Sequence, residues 1–414
     1  MYTSFSTALS ALSAHSVAVD VVGNNLANLN TPGFKASSVS FYDLVAHSID
    51  AGQGESQVGV GVARPSTIRQ FTQGSIQSTS GPLDAAIQGP GFLVMKSKSG
   101  ATVYGRGGNL QVDRDGVLMS PTGEKVQGWM LGKGALDITQ PIGEISVPVG
   151  SLRPASATTK IGFNLNLDAR ATAGPPADTF TSTAEVYDSL GISHLASVRL
   201  TKTANPGEWS YSLSIPDSDL TAPLTPATGT IQFDENGTLV SPLPTDPAPT
   251  ISTPDLKSGA APLNITWDLY SGATPNLTQF AQPSATSLIW QDGFAAAQLV
   301  SVGLGDGGVL LAEYSDGKQV AVGQLAMAAI RNPDSLIAVG NNTFRVSFRS
   351  ATPVVGLPGT GGRGTVLGGS VENSTVDIAQ EFTKLIVLQR GYQANTRIVT
   401  TVDEMSQETI NLKR

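Results

Sequence analysis

Hydrophobic positions repeat at helical spacing near the start of the chain. From about residue 4 to residue 28 they follow alternating steps of four and three, which is heptad spacing, at Phe5, Leu9, Leu12, Ser16, Val19, Gly23 and Leu26. Asparagines then crowd the end of this segment, before Thr31-Pro32-Gly33. A residue before proline avoids the α region, and Pro-Gly favours a turn. The pattern therefore predicts an N-terminal helix that ends before residue 31.

A second helical pattern lies near the other end of the chain. Ser374 and Asp377 have the spacing of a capping box, directly before an apolar periodic run. The run begins at Ile378, Phe382 and Leu385, slips in register between 388 and 395, and resumes at Ile398, Val402, Met405, Thr409 and Leu412. We therefore predict a C-terminal helix, with Lys413 and Arg414 suited to the negative end of its dipole.

These two helices need a partner face, because isolated helices of this length are marginal in water and their apolar stripes are narrow. The partner is the other terminus, other copies of the chain, or both. We predict that the apolar seams of both helices form a self-assembly surface, consisting of Phe5, Leu9, Leu12, Val19, Leu26, Ile378, Phe382, Leu385, Ile398, Val402, Met405 and Leu412.

The middle of the chain has a different hydrophobic pattern, which predicts short strands of alternating apolar and polar residues separated by turns. Strands are predicted within 197–202, 209–215 and 309–314, and turns at Asp115-Gly116, Asn236-Gly237 and Asp316-Gly317. The stretch 146–284 is the richest in Thr, Pro and Ser, which indicates an inserted domain.

The predicted fold class is mainly β with paired, coiled-coil-like terminal helices. The predicted domains are a helical core (1–30 and 372–414), connecting segments (31–70 and 359–371), an inner β domain (71–145 and 285–358) and an outer β domain (146–284) inserted in it.

Composition narrows the class of partners. The net charge of −8 argues against nucleic acid, which requires a basic surface. The chain has no cysteine, so disulfides and thiolate chemistry are excluded. No uninterrupted apolar run of about 18 residues occurs, so we expect no membrane insertion. The first Lys or Arg is Lys35, which does not fit a secretory signal, so we expect export without a cleaved signal peptide.

Candidate catalytic and binding motifs are weak. Residues 303–308 and 359–364 match the glycine spacing of a dinucleotide loop, but the first precedes a predicted strand rather than a helix. The three histidines, His15, His47 and His194, lie in different regions. We therefore expect no enzyme activity, no catalytic residues, no metal and no cofactor.

Several motifs together resemble one protein family. Residues 8–12, 22–28 and 31–35 resemble the N-terminal signature of flagellar rod and hook proteins, and Val376-Asp377, Glu381-Phe382 and 389–395 resemble the matching C-terminal signature. Residues 71–74, 83–87 and 89–92 resemble the segment shared by hook and distal rod proteins, and residues 109–110, 113–118 and Gly128 continue it. Residues 185–191, 289–293 and 361–364 are similar to hook-protein segments.

This resemblance implies a structural function. It implies a bacterial flagellar hook subunit that passes unfolded through the flagellar export apparatus and assembles under a hook cap into an extracellular tube. The terminal helices would form the inner wall, and the outer domains would let the tube bend as a universal joint between rod and filament. The implied partners are copies of the chain, the distal rod protein, the hook cap, the hook–filament junction protein and the export apparatus.

Two other functions compete with this interpretation. A distal rod protein of the flagellar basal body would share the terminal helices but lack a large outer domain, so the stretch 146–284 favours the hook. A secreted β-rich binding module would need a cluster of acids, aromatics or histidines in a pocket. Tyr187, Trp209 and Trp267 are too scattered in the sequence to indicate one.

Overall fold

The computed structural model describes residues 2–44, 47–50, 55–132, 135–150 and 152–411. Two long helices lie at the ends of the described chain, α1 (Tyr2–Ala27) and α2 (Ile378–Asn411), and short strands fill the sequence between them. The predicted class, mainly β with paired terminal helices, is therefore confirmed. The chain divides into two compact units, residues 1–149, 300–313 and 319–414 (unit 1) and residues 150–299 and 314–318 (unit 2).

Both helices begin or end where the sequence predicts. α1 is followed by turns at 28–33, with the Thr31 N–H donating to Asn28 O and the Phe34 N–H donating to Thr31 O. α2 begins after Asp377, whose Oδ1 accepts the Gln380 N–H at 3.0 Å. The N-cap is therefore Asp377 itself, since an N-cap side chain accepts an amide two or three residues later.

The strands of unit 1 build one main sheet and several small ones. The main path pairs, in order, 309–314, 319–325, 125–132, 92–96, 102–105, 343–345 and 337–340. The unit 1 strands are Ser37–Ser40, His47–Asp50, Glu55–Val58, Ser66–Arg69, Ile76–Ser78, Ala85–Gln88, Phe92–Lys96, Thr102–Gly105, Gln111–Val112, Leu118–Met119, Lys125–Gly132, Ala135–Leu136, Gly143–Glu144, Gln319–Leu325, Met327–Ala329, Ile337–Gly340, Thr343–Arg345, Val354–Gly356, Thr365–Gly368 and Ser370–Glu372.

The core of unit 1 is aromatic. Phe71 and Phe344 meet edge to face with ring centroids 5.3 Å apart, and Phe92 lies 5.5 Å from Phe71. The strand 370–372 pairs with 76–78, and 365–368 pairs with 85–88. These pairings hold the segment before α2 against the β body of the same unit.

Unit 2 is a β-sandwich. One sheet is a meander of 179–187, 193–202, 208–214, 227–233 and 239–241, and the other places 160–168 beside 264–268, 277–280 and 285–291. The unit 2 strands are Leu152–Arg153, Lys160–Asp168, Thr179–Tyr187, Ser193–Lys202, Glu208–Ser214, Ala227–Phe233, Leu239–Ser241, Thr250–Ser252, Asn264–Asp268, Tyr270–Ser271, Thr274–Pro275, Leu277–Phe280 and Ala285–Gln291. The residues of Ala297–Leu304 and Val309–Tyr314 are divided between the two units, and 3₁₀ turns occur at Asp217–Asp219, Asp306–Gly308 and Pro333–Ser335.

Period-two patterning explains this sandwich. Along 193–202 every second side chain is buried, which puts one face of the strand in the core. Turn chemistry closes the hairpins, as at Gly237, where φ is +76° and an added Cβ would lie 2.3 Å from Gln279 O. The predicted strands at 197–202, 209–215 and 309–314 and the predicted turns are therefore confirmed in type, with ends shifted by a few residues.

The position of 285–291 differs from the predicted domain division. The sequence analysis placed this segment in the inner β domain, whereas it hydrogen-bonds antiparallel to 160–168 within unit 2. Strand pairing over this distance is a tertiary contact that local composition does not encode. The assignment of an inner and an outer domain in an assembled tube stays a prediction.

Candidate assembly surface

The face that α1 buries within the chain is made of small side chains. Its fully buried members are Ala8, Ala14, Ala18, Val22 and Asn25. Alanines let two helices approach closely, and the helices run antiparallel, because His15 lies beside Gly391 while Asn25 contacts Glu381. The other terminus is therefore one partner of α1.

The predicted seam of α1 lies beside this face. Leu9, Val19 and Leu26 each follow a buried position by one residue, which is about 100° around a helix. Phe5 and Leu9 are 40% and 54% exposed, and Leu12, Val19 and Leu26 are partly buried. The seam stays a prediction for contacts between copies, and the described chain leaves its largest side chains uncovered.

α2 exposes even more apolar surface. Leu385 and Val402 are partly buried, and Leu412 lies outside the described residues. The other predicted positions are exposed at their side chains, namely Ile378 (46%), Phe382 (50%), Ile398 (46%) and Met405 (55%). Sequence periodicity missed Ile386 (52% exposed), Val387 (63%) and Ile410 (70%), which enlarge the same surface. They lie off the predicted heptad positions, because one seam does not include both sides of a helix.

A buried polar contact fixes the register of the two helices. The Asn25 side chain is 1% exposed and donates through Nδ2 to Glu381 Oε2 (3.1 Å) and to Ser37 O (2.8 Å). Its Oδ1 accepts the Ser37 N–H at 3.0 Å. Lys384 Nζ lies 2.7 Å from Glu381 Oε1. A satisfied polar group in an otherwise small-residue interface specifies one alignment, because a shift along the helix would leave it unpaired.

A second buried cluster anchors both helices to the β body of unit 1. Glu372 is fully buried, with its Oε1 2.7 Å from Lys35 Nζ and its Oε2 3.3 Å from Arg106 Nη1. Lys35 also donates to Thr72 O at 2.5 Å, and Arg106 Nε donates to Gly91 O at 2.9 Å. Burial lowers the pKa of Lys35 and of Arg106, and Glu372 acts in the opposite direction. Sequence reasoning noticed Lys35 only as part of a motif and missed its partners.

Within the described ranges no group of three or more His, Asp or Glu side chains is arranged to hold a metal ion. The glycine run 303–308 is followed by the strand Val309–Tyr314, as the sequence predicts, and not by a helix. His194 is buried in unit 2 between Asp219 (3.0 Å) and Asp188 (3.2 Å).

The hydropathy of α1 departs from one sequence expectation. An 18-residue stretch within residues 4–27 has a mean hydropathy of 1.3, so by length and composition this helix could cross a membrane. The expectation rested on an uninterrupted apolar run, and here serines interrupt the apolar residues without lowering the mean enough. Within the chain, α1 has a protein partner, since Asn25 hydrogen-bonds to α2.

Comparisons with known proteins agree along the length of the chain. Family models match at residues 5–35 (flagella basal body rod protein), 86–161 (flagellar hook protein FlgE/F/G D1 domain), 164–294 (flagellar basal body protein FlaE D2 domain) and 367–412 (flagellar basal body rod FlgEFG protein C-terminal). The fold resembles a crystal structure of Helicobacter pylori flagellar hook protein FlgE2, with a TM-score of 0.54, 14% identity and coverage of 70% of this chain and 99% of that one.

Paired terminal helices on a β-rich body, with both terminal family models matched, define a subunit of the flagellar rod and hook class. The chain is 32% identical to the flagellar hook protein FlgE of Borreliella burgdorferi and 30% identical to that of Treponema pallidum, over 100% of both chains in each pair. It is 31% identical to the Escherichia coli flagellar hook protein FlgE over 99% of this chain and 100% of that protein. The chain belongs to the flagellar hook protein family.

Proposed function

We propose that this chain is the structural subunit of a bacterial flagellar hook and polymerises into a flexible tube that acts as a universal joint between rod and filament. The observation that carries the proposal is the uncovered apolar surface of α1 and α2 in a chain of the hook protein family. The function is mechanical, and we propose no catalysed reaction.

The energetics of the helix pair support assembly with further copies. Covering one large apolar side chain contributes about 1.5–3 kcal/mol. The helix pair leaves many such side chains exposed and buries mainly alanines, which contribute less per residue. Contact with copies of the same chain would cover the remaining surface, and repetition of one such contact would generate a helical polymer.

The helix pair and unit 2 would have different roles in the tube, because they differ in how much apolar surface they expose. The helix pair carries the exposed apolar side chains and would form the wall of the tube, as the resemblance implies. Unit 2 has a closed core of its own, so it can shift against neighbouring copies without losing its fold. Such rigid bodies on the outside of a tube would permit bending during rotation.

Location and partners follow from the same proposal. The subunit would leave the cell unfolded through the flagellar export apparatus, without a cleaved signal peptide, and assemble outside the cell beneath a hook cap. The distal rod protein would contact the first copies, and the hook–filament junction protein would contact the last. No nucleic acid and no membrane insertion belong to this function.

A distal rod protein is the alternative within the same class. The family models at both termini carry rod names, so the helices alone favour neither function. The match of residues 164–294 to the D2 domain model and the sandwich they form favour the hook.

Electron microscopy of the purified full chain tests the proposal. Under conditions of high protein concentration and high salt, we expect hollow tubes. Chain that stays monomeric under all polymerising conditions would contradict it. A flagellated strain that lacks its own hook subunit provides the second readout, in which this chain should restore curved hooks rather than lengthen a straight rod.

A further inference from the structure

Unit 1 contains a cleft of about 490 Å³ in which Arg69 is the one charged residue among the described residues that line it. Amide and hydroxyl side chains, including Asn24, Asn28, Asn109 and Thr122, line it together with apolar side chains such as Phe34 and Met95. Arg69 is the last residue of the strand 66–69, which pairs with the strand 37–40. Asn25 of α1 hydrogen-bonds to Ser37 in that partner strand. The cleft therefore lies where the N-terminal segment meets the β body of the same unit.

Arg69 is a partly buried cation without a counter-ion in the described part of the chain. Its Nε is buried and makes no hydrogen bond with any described residue. Its guanidinium lies over the Phe344 ring, 5.0 Å from the centroid, and no carboxylate of the described ranges forms an ion pair with it. Burial lowers the pKa of Arg69, and no acidic group offsets this effect. Such a desolvated guanidinium is costly unless an anion reaches it.

The walls of the cleft supply further donors. Asn109 lines it and its side chain makes no hydrogen bond with the described residues, and the Asn24 amide nitrogen is likewise available. The one carboxylate bonded to the wall, Glu124, already accepts donors from Ser120, Thr122 and Asn341. A planar guanidinium in a cleft that also contains amide donors matches a carboxylate, which accepts two parallel hydrogen bonds.

We propose that the Arg69 cleft is a carboxylate-binding site, and that an Asp or Glu side chain of a second copy of this chain occupies it in the polymer. The inference rests on the proposed self-assembly. A second copy is the fitting source because the chain carries 33 acidic against 25 basic residues, so each copy presents surplus carboxylates to its neighbours. The contact joins two different surfaces, as growth of a helical polymer requires.

Polymerisation of the full chain tests the site. Arg69→Gln removes the charge and the paired N–H donors of the guanidinium. Arg345→Gln is the matched control and removes an exposed charge from the same unit. We expect Arg69→Gln to raise the critical concentration, measured by sedimentation, about tenfold or more, since a hydrogen bond to a charged group is lost at every copy. Arg345→Gln should change it less than about twofold. Equal critical concentrations for Arg69→Gln and the parent would overturn the proposal.

Anion competition on the unmodified chain gives a readout that does not depend on how the variant folds. When acetate replaces chloride at constant ionic strength, the critical concentration of the parent should rise and that of Arg69→Gln should not. An unchanged critical concentration of the parent chain in acetate would overturn the proposal. Inhibition by inorganic phosphate at far lower concentration than acetate, again lost in Arg69→Gln, would also overturn it by identifying a phosphate site.

Titration of the dilute monomer separates this inference from the proposed function. Acetate should shift the Arg69 Nε–H resonance of the parent chain in nuclear magnetic resonance spectra. The Arg69→Lys variant should bind acetate more weakly, because lysine lacks the planar pair of N–H donors of a guanidinium. Absence of any shift would contradict the carboxylate site even if tubes form. A parent chain that binds acetate but forms no polymer would instead contradict the proposed function and the occupant from a second copy.

Discussion

The β-sandwich of unit 2 and the terminal helix pair of unit 1 use their hydrophobic residues in opposite ways. In the sandwich the largest side chains are inside, with Trp267 and Phe163 at 0% exposure and ring centroids 6.1 Å apart. In the helix pair alanines are inside, while Leu9 and Met405 are 54% and 55% exposed. A closed core is stable in one chain, whereas the helix pair needs further surface to cover it.

The sandwich and the helix pair differ in what stabilises them. Stability of the sandwich depends on burial already complete within the chain. Stability of the helix pair depends on a few specific polar contacts, such as Asn25 with Glu381, and on contacts that a single chain does not supply. Substitutions should therefore separate into those that unfold a unit and those that prevent polymerisation.

The largest expected effect is on the sandwich core. Trp267→Ala should lower the free energy of unfolding of unit 2 by about 3–5 kcal/mol, because a large buried ring leaves a cavity. Chemical denaturation of the full chain measures it, followed by tryptophan fluorescence in a Trp129→Phe background so that the signal comes from unit 2. Phe280→Ala, at a side chain 51% exposed, is the control and should cost less than about 1 kcal/mol. Similar losses for both variants would show that the sandwich core is not closed around Trp267.

A slightly smaller effect is expected at the anchor of the helices. Glu372→Gln removes the one anion from a site that holds two buried cations, and breaking such a cluster costs about 3 kcal/mol. Thermal melting of unit 1 should shift while the denaturation of unit 2 does not. Glu144→Gln, in an exposed pair with Lys125, should change the melting little. An unshifted melting temperature for Glu372→Gln would show that Lys35 and Arg106 find other partners.

The seam itself gives the next effect, which concerns assembly rather than folding. Val402→Asp places a carboxylate on a partly buried position of α2, at a cost of roughly 2 kcal/mol for each unpaired polar group buried on assembly. We expect unchanged denaturation of unit 2, near-normal secretion and loss of sedimentable polymer. Thr401→Asp, at the exposed neighbouring position, should polymerise. If Val402→Asp also polymerises normally, the seam assignment is wrong.

The smallest effect is the response of unit 2 to acid. Burial alone would raise the pKa of Asp188, but hydrogen bonds from Ser258, the Ile192 N–H and His194 outweigh it and lower the pKa. The hydrogen bond from His194 lowers the pKa of Asp219. A carboxyl with a lowered folded-state pKa stabilises the fold above its unfolded value of about 3.9, and this contribution is lost as the pH falls further.

Unit 2 should therefore melt at a lower temperature as the pH decreases from about 5 to about 2.5. Asp188→Asn should be less stable at pH 5 and should have a flatter acid profile. Calorimetry at several pH values measures both. An identical slope in Asp188→Asn would assign the acid response to other carboxyls.

Much of the fold could be predicted from local pattern. Heptad spacing and Thr31-Pro32-Gly33 determined α1, and Asp377 before an apolar run determined the start of α2, because helix ends depend on residues within a turn of them. Alternation of apolar residues and Gly turns determined the sandwich strands. The family resemblance was likewise readable in the terminal motifs.

Only the tertiary structure decided which face of each helix is covered and which groups meet across the chain. Ala18 and Val19 are both apolar residues of α1, and the presence of α2 determines that Ala18 is the buried one. Glu372 meets Lys35 and Arg106 across hundreds of residues of sequence. Arg69 meets Phe344 and forms no ion pair with a carboxylate of the described residues. Local sequence encodes dihedral preferences and periodicity, whereas these meetings depend on the packing of distant segments, which no window of neighbouring residues contains.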